Sequence, residues 1–168
     1  IFTREPGGSD LGKKIRNLLL SSSDKNVISK EAQILLLLAA RYEHYKKLIL
    51  PQIKRKKVVV SDRFHDSTFA YQCGSNKVLQ SLLIKFNNLL FNKFQPDLTI
   101  LLDINPNLSI KRISKRTHNN SYDKKTLSFY KTVRSNYLYI AKNNNRVKVL
   151  NAEESEEEIF KKIKNLVF

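Results

Sequence analysis

An α/β fold, with a parallel sheet covered by helices, is what this sequence predicts. Two observations carry that reading. Short apolar runs, the β-branched Val58-Val59-Val60 and Leu98 to Leu102, alternate with longer stretches whose apolar residues recur every three or four positions. Both runs lead into an aspartate, Asp62 and Asp103, and in open α/β sheets ligands gather at the carboxyl ends of the strands. At 168 residues the chain fits one domain, 1–168, with a substantial core.

Taken in order, Ile1 to Thr3 reads as a strand stub and Asp10 to Leu20 as a helix with Leu11, Ile15, Leu18 and Leu19 on one face. Ser21 to Asn26 is a polar loop. Ser29 caps a long helix running through Arg41 towards Leu50, with Glu31 near its positive end. Val58 to Ser61 is a buried strand, too short for a helix. Ser67 to Gln72 opens a short helix and Val78 to Phe91 a longer one. Asp97 to Asp103 is a second buried strand, with Pro106 in the first turn of the helix after it. Segment 116–125, from Arg116 to Lys125, is rich in Asn, Lys and Ser, breaks every periodicity and is the candidate lid. Leu127 to Ala141 is helical, Arg146 to Leu150 a last strand, and Ser155 to Val167 a closing helix. Glu156, Glu157 and Glu158 lead that helix and Lys161, Lys162 and Lys164 end it, so the acidic run reads as a helix start rather than a metal site.

Composition removes several classes of function. No apolar run is long enough to cross a bilayer, and Arg4 and Glu5 interrupt any signal-like stretch at the front. The single cysteine, Cys73, excludes an intramolecular disulfide framework and suits a reducing cytoplasm. The net charge of +16 points first to nucleic acid. Yet lysine outnumbers arginine, and the basic run Lys54-Arg55-Lys56-Lys57 has no interleaved aromatics, so a solvated surface explains it. His44, His65 and His118 lack metal-ligand spacing.

Two segments carry chemistry. In Thr3-Arg4-Glu5-Pro6-Gly7-Gly8 a strand ends, Pro6 stiffens the turn, and two glycines expose backbone amides before a helix, a natural place for an anion. Asp62-Arg63 follows the Val58 to Ser61 strand; the carboxylate can hold Mg²⁺ through water and the guanidinium fork matches a phosphate. Position alone leaves Asp103 open as either a Mg²⁺ ligand or a helix-initiating residue.

Those segments, the second extended as Asp62-Arg63-Phe64-His65-Asp66-Ser67-Thr68-Phe69-Ala70-Tyr71-Gln72, with Ala39-Ala40-Arg41 between them, resemble the thymidylate kinase family. The resemblance covers essentially the whole chain. It implies a P-loop kinase-type three-layer fold, a five-stranded parallel sheet flanked by helices with a lid. It further implies transfer of the γ-phosphoryl of ATP to dTMP with Mg²⁺, in a cytoplasmic homodimer that needs no nucleic acid or membrane. By resemblance Arg4 and Arg63 contact the dTMP phosphate, Asp62 serves Mg²⁺, and Arg116 is a lid arginine. Pro6 belongs to the phosphate turn, Arg41 bonds the base, and Leu37 stands one turn before it, where the family has an aromatic that stacks on thymine. Ser67, Thr68 and Tyr71 line base and deoxyribose, the tyrosine crowding the place of a 2′-OH. A second lid arginine of the family falls at Ser121, with Lys124 and Lys125 nearby. Arg134 and Tyr137 fit a family pattern in a structural role, and His44 one of packing or capping.

The family's G-x-x-x-x-G-K-[ST] loop has no counterpart in these residues, and the chain has no methionine. The expectation is therefore that the first strand, the phosphate (Walker A) loop and the first helix, roughly 30–40 residues, lie upstream of Ile1. Two alternatives remain at this point. One is a truncated dTMP-binding fragment without activity, and the other a basic nucleic-acid-binding relic of the fold.

Overall fold

Side-chain caps mark where the longer helices begin. The computed structural model describes residues 1–21, 27–92, 94–115, 122–123 and 125–167. Ser9, in extended conformation, accepts from the Gly12 N–H and starts α1 (Asp10–Leu20), with Asp10 in the positive first turn. Ser29 accepts from the Ala32 N–H and starts α2 (Lys30–His44). Past His44 the helix does not stop. It widens into a π-helical segment, Tyr45–Ile49, and continues as α3 (Leu50–Lys54). Pro51 is the reason: it has no N–H to donate and its ring collides with the carbonyl four residues back, so the turn before it loosens.

The described chain divides into two compact units, Ile1–Phe94 with Asn120–Tyr122, and Gln95–Asn119 with Asp123–Phe168. In the first, α2 is apolar on two sides. Leu37 and Ala40 pack with Ile15 and Leu19 of α1. Ile34 and Leu38 join Cys73 and the apolar side of α5 (Lys77–Phe91), namely Leu79, Leu83 and Phe91. Ile34 and Leu83 are almost wholly buried, each contributing about 1.5–3 kcal/mol relative to exposure. Strands β1 (Phe2–Arg4) and β2 (Val60–Asp62) pair in parallel, in the register Phe2↔Val60, Thr3↔Ser61, Arg4↔Asp62. After β2 comes α4 (His65–Thr68), which runs into a second π-helical segment, Phe69–Cys73, and ends at Gly74 with φ 55. The helix read over Ser67 to Gln72 thus begins two residues earlier and is partly π.

In the second unit β3 (Thr99–Asp103) and β4 (Val147–Asn151) pair in parallel from Thr99↔Val147 to Asp103↔Asn151. Asn105 caps α6 (Pro106–Ser114), with Pro106 in its first turn, and Thr126 caps α7 (Leu127–Lys142). The acidic run does begin a helix, α8 (Glu156–Val167). Ser155 Oγ accepts from the Glu158 N–H at 3.3 Å while Glu158 accepts from the Ser155 N–H at 3.0 Å, a reciprocal cap.

Among the described residues the strands form two parallel ladders of two strands each. One expectation is corrected. The strands read as buried are open: Val58, Val60 and Leu102 are exposed. A two-stranded ladder covers neither face by itself, and side chains alternate, so β1 and β2 turn only Thr3 and Ser61 inward. Segment 116–121 and Lys124 lie outside the described residues, so most of the expected lid does too.

Candidate active site

The β1/β2 register sets Arg4 beside Asp62 at the carboxyl ends of both strands, and the Glu5 N–H extends the ladder by donating to the Asp62 carbonyl at 2.9 Å. Beyond it the Glu5–Pro6 peptide is cis and Gly7 has φ 129, a conformation strained for any side chain. A Cβ on Gly7 would stand 3.7 Å from Arg4 Nε and 3.7 Å from Arg16 Cδ, so the two arginines flank this turn. Arg16, on α1, donates to the Pro6 carbonyl at 3.3 Å.

Arg63 leaves β2 with φ 68, left-handed and uncommon for a side-chain-bearing residue. The Ser61 hydroxyl donates to the Arg63 carbonyl at 2.8 Å, and the Arg63 guanidinium lies 5.0 Å over the Tyr71 ring. The proton affinity of Arg16 is depressed by burial first, then by Arg4 and Arg63, with Asp62 acting in the opposite sense. Three guanidiniums thus share one field with one carboxylate. An anion with several oxygens relieves their mutual repulsion and matches their forks.

Next to this cationic end lies a buried polar chain. Arg41, Glu5, His44 and Thr68 are each at most 5 % exposed. Arg41 Nε donates to Glu5 Oε2 at 2.6 Å and its NH2 to Thr68 Oγ1 at 2.8 Å. His44 Nδ1 stands 2.9 Å from Glu5 Oε1, and His44 Nε2 stands 2.8 Å from Thr3 Oγ1. The Arg41 guanidinium also lies 5.2 Å over the Phe64 ring. Its remaining amino group, NH1, is buried without a hydrogen-bond partner among the described residues. Such a donor costs about 1–3 kcal/mol when left unsatisfied, which makes it a group that a ligand oxygen would complete.

A third cluster stands beside Tyr71. Gln72 Nε2 donates to Gln33 Oε1 at 3.1 Å and to the Tyr122 hydroxyl at 3.0 Å, and that hydroxyl donates to Gln33 Oε1 at 3.3 Å. The Tyr122 and Tyr71 rings meet edge to face at 5.7 Å. Burial raises the pKa of the Tyr122 phenol, so it stays a neutral donor.

A family model described as thymidylate kinase matches residues 1–163. The thymidylate kinase of Maridesulfovibrio salexigens is 39% identical over 170 residues, 96% of this chain and 78% of the relative. That of Carboxydothermus hydrogenoformans is 40% identical over 167 residues, 99% of this chain and 81% of the relative. This chain belongs to the thymidylate kinase family. The crystal structure of the Ehrlichia chaffeensis thymidylate kinase aligns with 100% of the chain and 81% of its own at a TM-score of 0.78 and 27% identity. The fold is accordingly that of the thymidylate kinases, and the enzyme class is phosphotransferase.

For this family member, most of the residues singled out in the sequence fall into two groups. Arg4, Pro6, Asp62, Arg63 and Tyr71 stand around the cationic end, while Arg41 and Thr68 form the buried chain, with Ser67 one residue before Thr68 on α4. Leu37 packs into the α1/α2 core and is only 8% exposed, so it presents little surface to a base. Arg116 lies outside the described residues. Asp103 is engaged elsewhere, as both its oxygens accept from Arg134, at 2.7 and 2.8 Å. That bond, ahead of the desolvation opposing it, holds the Asp103 carboxyl below its ordinary range; its role is structural. Burial pushes the Cys73 thiol up to about 11, which removes it as a nucleophile.

Glu5, Arg16, Gln33 and Tyr122 were not singled out as site residues by the sequence. Glu5 could have been: a buried arginine requires a counterion, and Glu5 stands inside the motif. Arg16 interrupts the apolar stripe of α1 two turns after the glycines. Tyr122 has no local signal at all. Among the described residues no three His, Cys, Asp or Glu side chains gather as a metal cage. Mg²⁺ keeps several waters and takes one or two carboxylates beside phosphate oxygens, and Asp62, at the carboxyl end of β2, is a carboxylate of that kind.

Proposed function

We propose that these residues form the dTMP site of a kinase that moves the γ-phosphoryl of ATP to dTMP, giving dTDP. The observation that carries this is the juxtaposition of two features. Arg4, Arg16 and Arg63 share one field with Asp62, which suits a phosphate dianion. Nearby, the Arg41 NH1 is buried and unpaired, which suits a carbonyl oxygen of a pyrimidine. In this reading Arg4 and Arg63 grip the phosphate, Arg16 supports them, and Pro6 and Gly7 shape the turn that brings Arg4 in. Arg41 reads the base, with Thr68 and Ser67 beside it, while Leu37, packed against α1, supports the helix that carries Arg41. Tyr71 supports Arg63 and crowds a ribose 2′-OH.

Phosphoryl transfer asks for orientation and charge neutralisation more than covalent help. Arg4 and Arg63 fix the acceptor oxygen, and Arg116 is proposed as the lid arginine that neutralises the transferring group. Asp62 would hold Mg²⁺ through water, and the ion would supply further charge neutralisation. The enzyme is proposed to act in the cytoplasm as a homodimer, independently of nucleic acid and membranes.

Calorimetric titration tests the acceptor site directly. The chain is expected to bind dTMP and to bind thymidine at least 10²-fold more weakly, because charge-assisted phosphate contacts of about 1.5–3 kcal/mol each are then missing. Equal affinity for dTMP and thymidine would overturn the phosphate assignment. Tight binding of single-stranded DNA, with no binding of dTMP, would replace the reading altogether.

A further inference from the structure

Tyr122 comes from far along the chain, yet it closes a ring of hydrogen bonds beside the cationic end. Its hydroxyl accepts from Gln72 Nε2 at 3.0 Å and donates to Gln33 Oε1 at 3.3 Å, while Gln72 Nε2 also donates to Gln33 Oε1 at 3.1 Å. Gln33 is itself tied down, its Nε2 donating to the Ile28 carbonyl at 2.7 Å. Mutual bonds in a part-buried setting reinforce one another and leave the phenol one place to stand. A phenylalanine would fill the volume but take a partner from a Gln72 N–H and from the Gln33 oxygen.

The ring fixed in this way meets the Tyr71 ring edge to face, at 5.7 Å and 81°. Tyr71 is held at its backbone too. Its carbonyl lies in the π-helical segment that ends at Gly74, where a helix runs out of N–H partners, and it accepts from Lys30 Nζ at 3.2 Å. The Arg63 guanidinium lies 5.0 Å over the Tyr71 ring. After burial and the Gln72 bond, Tyr71 and then Arg63 bear on the Tyr122 phenol, so all three side chains are neighbours. A long arginine side chain gives up rotamer freedom when it closes on a phosphate, and a fixed aromatic face lowers that cost by holding the guanidinium beforehand. We propose that Tyr122 is a positioning residue: by fixing the Tyr71 ring it holds Arg63 ready for the phosphate of the nucleotide. The inference rests on the dTMP reading above and adds to it a residue that acts through Tyr71 rather than on the nucleotide.

The test is calorimetric titration of the chain and its variants with dTMP and with thymidine, which lacks the group that Arg63 grips. Thermal unfolding followed by circular dichroism accompanies each variant. Tyr122→Leu, which removes ring and hydroxyl, should weaken dTMP about tenfold and thymidine by no more than about twofold. Tyr122→Phe, which keeps the ring but frees it, should weaken dTMP about threefold. In an Arg63→Ala background, Tyr122→Leu should change dTMP affinity by less than about twofold, because the two residues act in one line. Unchanged dTMP binding in Tyr122→Leu overturns the inference. So does an equal loss for both ligands, which would make Tyr122 a wall of the nucleoside site, and so does a loss that persists without Arg63. If Tyr122→Leu shows no cooperative unfolding, Tyr122→Phe carries the same comparisons with its smaller effect. A parent chain that binds no dTMP overturns the dTMP reading and this inference with it, whereas a parent that prefers dTMP beside unaffected variants overturns only the role of Tyr122.

Discussion

Two arginine–carboxylate pairs, one in each unit, look alike in sequence and differ in purpose. In Arg134–Asp103 the side chains are 41% and 20% exposed and the fork closes on both oxygens. In Arg41–Glu5 they are 2% and 5% exposed, yet only one nitrogen meets the carboxylate and one amino group is unpaired. A half-exposed fork ties β3 to α7, and its remaining amino group can turn to water. In Arg41 the same two nitrogens, Nε and NH2, are bonded, but NH1 is buried without a partner among the described residues. Burial, more than the number of bonds made, separates the two arginines.

The largest test of that contrast is removal of each carboxylate. Glu5→Ala leaves Arg41 and His44 buried without their shared partner and should cost about 3–5 kcal/mol in urea unfolding. Asp103→Ala, whose partner can turn to water, should cost about 1 kcal/mol or less. Similar losses would erase the distinction.

Next in size is binding. Arg63→Ala removes two charge-assisted contacts to phosphate and should weaken dTMP by at least about 10²-fold in a calorimetric titration. Arg134→Ala should stay within about twofold, since its fork is already filled. An Arg63 variant near the parent would take that residue out of the site.

Leu37→Phe follows. The family's aromatic at this position suggests a gain from stacking, but Leu37 is packed between α1 and α2. Overpacking should cost about 1–3 kcal/mol of stability and leave dTMP binding unimproved. Tighter binding with an unchanged Tm would mean that the side chain faces the base after all.

The smallest effect concerns acid. Arg134 holds the Asp103 carboxyl below its ordinary range when folded. A depressed folded pKa contributes stability above the unfolded value of about 3.9, and that contribution is lost as pH falls through the folded pKa. Stability of the parent should therefore fall below about pH 4 by an increment that Asp103→Asn does not show, about 1 kcal/mol or less because the pair is half exposed. Identical acid limbs for both proteins would show that the pair adds nothing.

Where the longer helices begin was legible in the sequence itself. Ser9, Ser29 and Thr126 each bond an N–H three residues ahead, and Ser155 and Glu158 cap each other over the same distance. Such interactions depend on residues within one turn, so spacing along the chain is enough to find them. The Arg4 and Asp62-Arg63 segments were legible for a similar reason, since strand ends and glycine turns announce themselves locally. Tertiary structure alone decided the rest. Glu5 reaches Arg41 across 36 positions and His44 across 39, and Tyr122 reaches Gln33 across 89. No periodicity encodes those separations. Leu37 shows the same limit from the other side: its helical spacing put it on a face with Arg41, but which neighbour covers that face is settled by α1. Register along an element is a property of the sequence; what stands opposite it is a property of the fold.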